Sequence, residues 1–217
     1  MNRPITPTVE KEVIINTDAL EWAATKDLKI TKKIIEKIST GNNQQITSLV
    51  HYGAGAVSSP HCHPYGEEIF VLEGTFSDER GDFSTGSYIR NPPDSFHQPY
   101  SKYGCLIFIK NGYMNSRETS HLHVETYSEN WKVDVSPVTD VINLYNKRDE
   151  KVDLVQFLPA DLPSKQSFQA GIELFVLEGV LNCQDKFYPK NTWLRETGDS
   201  FQGFFSRSGC TVYRKTG

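Results

Sequence analysis

Cysteine, surplus positive charge and long apolar runs are all scarce in this chain, and each shortage removes a class of protein. The four cysteines, Cys62, Cys105, Cys183 and Cys210, are sparse and irregularly spaced over 217 residues. They make neither a disulfide framework nor a CxxC zinc motif, so free, mostly buried thiols are expected. Lysine and arginine number 23 against 27 aspartates and glutamates, a net charge of -4, which lacks the basic footprint of a nucleic-acid-binding surface. No segment approaches the ~20 consecutive apolar residues of a membrane span, and the N-terminal MNRPITPTVEKEVIINTDALEW holds no apolar core of a secretory signal. A cytoplasmic protein with no nucleic-acid or membrane partner is the expectation.

Sustained 3.6-residue periodicity is missing too. In its place stand short β-like runs, QITSLVHY, EEIFVLEG, GCLIFIK and GIELFVLEG, separated by Gly, Pro, Asp and Ser clusters. DALEWAA and IEKIST are candidates for brief helical turns, while TKKIIEK reads equally as a strand with lysines at a sheet edge. The expected class is all-β.

Shifting the chain on itself by 105 residues brings long stretches into coincidence without a gap. GEEIFVLEG at 66–74 falls on GIELFVLEG at 171–179. Leu49-Val50 falls on Leu154-Val155, Arg90 on Arg195, Asp94-Ser95-Phe96 on Asp199-Ser200-Phe201, Gly104-Cys105 on Gly209-Cys210, and Lys110 on Lys215. One register held over such a span implies two copies of one fold. The expected boundaries are an N-terminal barrel over 1–115, a linker over 116–130 and a C-terminal barrel over 131–217, each barrel built of two sheets.

The chemistry concentrates in the first copy. His61 and His63 are two apart, so on a strand both point to one face and can aim at one ion, and Glu67 keeps that even parity. His97 follows 30 residues later. Three imidazoles and a carboxylate make a plausible site for a single divalent ion. The repeat acts as an internal control, because the second copy has Gln166, Phe168, Ile172 and Gln202 at these positions. All four ligands are lost together, so the C-terminal barrel is expected to hold no metal. Glu68 and Glu73, in contrast, persist as Glu173 and Glu178 and read as structural or surface groups. A second HxH pair, His121 and His123, has no downstream Glu at matching spacing and reads as part of the linker.

Gly55, His61, His63, Glu67 and Gly74 together resemble the first motif of the cupin superfamily, G(X)5HXH(X)3-4E(X)6G. Gly86, Pro92 and His97 resemble the second, G(X)5PXG(X)2H(X)3N, from which this chain departs at Asp94 (usually Gly) and Ser101 (usually Asn). The segment HPYGEEIFVLEGTFSDERGDFSTGSYIRNPPDSFHQP is similar to the ChrR-like cupins, and the likeness extends over roughly 30–110 and 135–217. It implies two tandem jelly-roll barrels, a bicupin, with metal inside the first. That family is named after anti-sigma factors whose N-terminal region is a separate zinc-dependent domain. The first 45 residues here contain no Cys or His, so the anti-sigma activity is not carried over.

Three functional classes follow. The first is a metal-binding sensor or accessory protein, in which Cys62, facing away from the ligands by strand parity, is positioned to report oxidation or simply to pack. The second, implied by the resemblance, is a non-haem Fe(II) dioxygenase cleaving a C–C bond of a small diketone or hydroxylated aromatic ketone. For it Tyr65, Phe70 and Tyr88 are the aromatic candidates, although Phe70 and Tyr88 have counterparts in Phe175 and Trp193 and read as packing. No catalytic residue is assigned. The third is a sugar-binding or structural bicupin with Gln166 and Gln202 inside the second barrel. The expected cofactor is one divalent ion, zinc or iron ahead of manganese, nickel or copper, and the expected partner is a small-molecule substrate in the first barrel. A homodimer through edges such as residues 30–37 is left open.

Overall fold

A sequence that alternates apolar and polar residues over short runs buries one face of each strand, and two such faces closed on one another make a barrel. The computed structural model describes residues 12–41, 43–133, 139–147, 150–160, 171–196 and 203–217, and the fold is all-β, the cupin fold twice over. The twin strands Glu67–Asp78 and Ile172–Cys183 lie at the centre of their respective units and bury the same positions along their length. Inside the first unit, Ile69, Val71, Ile89, Ile107 and Ile109 form one apolar cluster. Inside the second, Ile172, Leu174, Val176, Leu194 and Val212 form its counterpart.

The principal sheet of each unit repeats the other. The order in the first is Leu122–Glu125, Ser87–Asn91, Glu67–Asp78, Cys105–Asn111, Asn43–Tyr52, Ile30–Thr40 and Ala23–Ala24. In the second it is Glu12–Asn16, Thr192–Glu196, Ile172–Cys183, Cys210–Thr216, Glu150–Phe157, Thr139–Lys147 and Lys132–Val133. IEKIST is therefore strand, not helix, and DALEWAA yields only the single 3-10 turn Thr17–Ala19.

The expected boundaries need correcting at both ends. Glu12–Asn16, assigned to the N-terminal barrel, pairs antiparallel with Thr192–Glu196, and Leu122–Glu125, assigned to the linker, pairs with Ser87–Asn91. The compact units are residues 20–128 on one side and residues 1–19 with 129–217 on the other. An edge strand needs a partner, and in each unit that partner comes from the segment just ahead of the other repeat's first strands. The equivalence is detailed: the Thr17 hydroxyl donates to the Asn191 carbonyl (3.0 Å) as the Thr126 hydroxyl donates to the Gly86 carbonyl (2.8 Å). These threonines, like Trp22 and Trp131, are 109 residues apart. The change of spacing from 105 to 109 hid them from an ungapped comparison.

Candidate metal centre

His61–His63 is a three-residue strand paired antiparallel with Ser95–His97, with His61 opposite His97 and Cys62 opposite Phe96. Alternation turns the three histidines to one face and leaves Cys62 and Phe96 exposed on the other. Glu67 arrives by a different route from the one that parity implied. After His63 the chain turns, with the Gly66 N–H donating to the His63 carbonyl (3.0 Å), and Glu67 opens the next strand. There it is flanked across the sheet by Asn91 on one side and Asn111 on the other.

Both departures from the second motif keep their local structure. Asp94, in place of glycine, adopts a positive φ of 64° and donates its N–H to the His63 carbonyl (2.9 Å), holding the turn that presents His97. The fully buried Ser101 hydroxyl donates to the Thr75 carbonyl (2.6 Å) and accepts from the Gly104 N–H (3.1 Å).

The four expected ligands come together, with one ligand atom from each lying within 4.8 Å of the others. His63 Nε2 stands 2.9 Å from His97 Nε2, and each is 3.5 Å from Glu67 Oε2. The far nitrogen of every ring is spoken for. His61 Nδ1 donates to the Ser59 carbonyl (2.7 Å), His63 Nδ1 to Asn111 Oδ1 (3.1 Å) and His97 Nδ1 to Asp78 Oδ2 (3.1 Å). Each acceptor fixes the Nδ1–H tautomer and leaves the Nε2 lone pair facing the centre. Two lone pairs at 2.9 Å repel unless a cation or a proton lies between them. Burial disfavours the proton, pushing His63 below the usual histidine range against the opposing pull of Glu67. The donor set fits a divalent metal ion.

Residues that the sequence did not single out build the support around this centre. Asp78 is buried, which raises a carboxyl, yet its hydrogen bond from His97 and its bonds and charge from Arg80 more than reverse that, so it stays below the usual carboxylate range. Asn91 Nδ2 donates to Glu67 Oε2 (3.0 Å) while its Oδ1 accepts from His121 Nδ1 (3.2 Å). Arg80 Nη1 approaches His121 Nε2 at 3.4 Å. His121, read from the sequence as a linker residue, thus joins Asn91 to Arg80 in a chain of contacts running from Glu67 round to His97. His123 instead packs edge-on against Phe83 at 4.8 Å.

Of the four equivalent positions in the second copy, one lies among the described residues. Ile172, at the Glu67 position, is buried in the apolar cluster of its unit, whereas Gln166, Phe168 and Gln202 lie outside the described residues. Glu68 and Glu173 face away from the centre and accept matching bonds, from the Tyr88 hydroxyl (2.9 Å) and from Trp193 Nε1 (2.8 Å). A cavity of about 330 Å³ opens from the ligands between apolar walls that include Ile30, Tyr52, Phe76 and Ile107. Tyr65, Phe70 and Tyr88 do not line it.

Residues 10–115 match the family described as the ChrR Cupin-like domain. The first repeat belongs to the ChrR-like cupins. No curated protein matches the sequence of this bicupin. Among solved structures it is similar to a candidate dioxygenase from Nostoc punctiforme, at 13% identity and a TM-score of 0.79, covering 95% of this chain and 82% of that one. It is similar to YlbA from Escherichia coli at 17% identity and 0.72, covering 95% and 91%. It is also similar to the E. coli pirin YhhW in complex with nickel(II), at 13% and 0.71, covering 94% and 98%. At these identities the likeness establishes the fold, and two of the three names mention a metal or an oxidative activity. No helix among the described residues is long and apolar enough to cross a membrane.

Proposed function

We propose that the first barrel holds one divalent ion on His61, His63, Glu67 and His97 and uses it to bind and transform a small molecule in the adjoining cavity. The observation that carries this reading is the set of three locked tautomers, each with its lone pair turned to one point beside a buried carboxylate. An Nε2-out arrangement at a single histidine is common. Three of them converging on the mouth of a cavity favour chemistry on a small molecule over a purely regulatory surface.

Four side chains leave coordination positions open on a five- or six-coordinate ion, which would there act as a Lewis acid for substrate oxygens and for O2. The chain's own contribution is positioning. Asp78, Asn111 and the Ser59 carbonyl hold the rings, Asn91 holds Glu67, and Ile30, Phe76 and Ile107 offer apolar contact to a substrate in the cavity. The reaction class that suits this arrangement is a dioxygenase-type C–C cleavage of a small diketone or hydroxylated aromatic ketone. The name of the Nostoc neighbour lends support to that class.

The experiment is metal analysis followed by oxygen uptake. Wild-type protein should hold close to one ion per chain and His61→Ala almost none; equal, negligible metal in both would refute the site. Fe(II)-loaded protein should then consume oxygen with at least one member of a β-diketone and hydroxyacetophenone panel, and silence across the panel would return the reading to a sensor. Asp78→Asn should retain the fold yet weaken metal binding by roughly 10–100-fold, the usual cost of losing a carboxylate behind a histidine ligand. Competition titration against a chromophoric chelator measures it, and unchanged affinity would deny Asp78 its orienting role.

A further inference from the structure

The same internal control that separated Glu67 from Glu68 picks out two more polar groups inside the first barrel, and neither is a metal ligand. Lys32 is the cross-strand neighbour of Val50, just as Val141 is of Val155, and Ile30 faces Tyr52 as Thr139 faces Phe157. Lys32 is therefore the structural counterpart of Val141, and Tyr52 of Phe157. In the second unit Val141 packs against the apolar cluster that contains Phe157. In the first, Lys32 and Tyr52 both line the cavity beside the ligands. Lys32 is two residues along from the buried Ile30, so alternation turns both inward.

Lys32 is half-buried, and its aliphatic counterpart shows that the fold does not need a charge at this position for packing. The other charged groups lining this cavity are Glu67 and Asp27. Asp27 is already engaged by the Ser58 hydroxyl (3.3 Å), the Ser59 N–H (3.1 Å) and the Ser59 hydroxyl. With a dication on the four ligands, Lys32 leaves the cavity with a net positive charge. Its volume of about 330 Å³ admits a compact molecule only.

We infer that Lys32 and the Tyr52 hydroxyl form an anion subsite, so that the ligand of the first barrel is a small organic acid whose carbonyl oxygens face the metal centre and whose carboxylate faces Lys32. This rests on the proposed metal site and narrows its substrate class from neutral diketones to small keto acids. The lysine supplies a charge-assisted hydrogen bond and the tyrosine a neutral donor.

The test compares two probes with the same chelating core, acetylacetone and 2,4-dioxopentanoate, which adds a carboxylate. Calorimetric titration into metal-loaded wild type should show the acid binding about tenfold tighter or better. Lys32→Met should erase that preference while leaving acetylacetone affinity and metal content unchanged, and Tyr52→Phe should reduce it in part. Equal affinity of the two probes for wild type, or a preference that survives in Lys32→Met, overturns the subsite while leaving the metal reading intact. A wild-type protein that holds no metal and binds neither probe overturns both.

Discussion

Glu67→Gln will empty the metal centre and spare the fold, whereas Glu68→Gln will do the reverse. The two glutamates are neighbours on one strand and both are 2% exposed, so neither burial nor position in the chain distinguishes them. Alternation sends Glu67 toward His63 and His97, where an amide supplies neither the negative charge nor the ligand strength of a carboxylate. Loss of affinity should exceed the roughly 10–100-fold that removal of an outer partner costs. Stability measured in chelator should move by no more than about 1 kcal/mol, because the amide oxygen still accepts from Asn91 and a buried charge is gone. Glu68 points the other way, toward the Tyr88 hydroxyl and Arg90 Nη1 at 3.3 Å, and Arg90 continues to Glu118 at 2.7 Å. Removing one charge from such a buried network costs about 3–5 kcal/mol, since the guanidinium stays behind undercompensated. For a chain of this size that lowers Tm by roughly 6–20 °C. Metal content and a thermal melt on the two variants decide the matter, and a Glu68→Gln protein that melts normally but lacks metal would reverse the assignment.

That contrast was legible because a tandem repeat carries its own control. Spacing alone nominated His61, His63 and His97, and the loss of the carboxylate at Ile172 but not at Glu173 chose between adjacent glutamates. The fold was legible for a related reason: runs such as EEIFVLEG alternate at the period of a strand, and their repetition declared two copies. What stayed hidden was everything set by partners far away in sequence. Asp78, Asn91, Asn111 and Arg80 are ordinary polar residues until the sheet brings them behind a ligand, as Asn111 reaches His63 from 48 residues away. His121 was passed over for want of a local carboxylate, yet its partner is Asn91, across a strand pair that the expected linker was not supposed to make. The exchanged edge strands escaped because hydrogen bonds to Gly86 and Asn191 carbonyls constrain one threonine each and leave little trace in composition.

Gly74→Ala should destabilise the first barrel, and the damage should reach the metal. Up to Gly74 the strand Glu67–Asp78 pairs with Cys105–Asn111, with a bulge between Val71 and Glu73; beyond it the strand pairs with Gly81–Ser84 in the other sheet. Gly74 is thus the corner at which one strand passes between the two sheets of the barrel. Its φ is +75°, and a Cβ there would stand 2.1 Å from the Gly104 carbonyl oxygen. Left-handed backbone costs an alanine about 1–2 kcal/mol, and displacing a backbone carbonyl adds a further penalty of about 1–3 kcal/mol, as overpacking does. The strand beyond the corner carries Asp78, which orients His97, so a shifted corner moves the carboxylate behind a ligand. The expected result is destabilisation of about 3 kcal/mol accompanied by weakened metal binding. Gly179 is the matched control, with φ +74° and a Cβ position 2.2 Å from the Gly209 carbonyl oxygen. Gly179→Ala should destabilise comparably and leave metal affinity unchanged, because the second strand carries Cys183 where the first carries Asp78. If both variants lose metal equally, loss of stability alone explains the effect; if only Gly74→Ala does, the corner of the first barrel is part of the apparatus that aims His97.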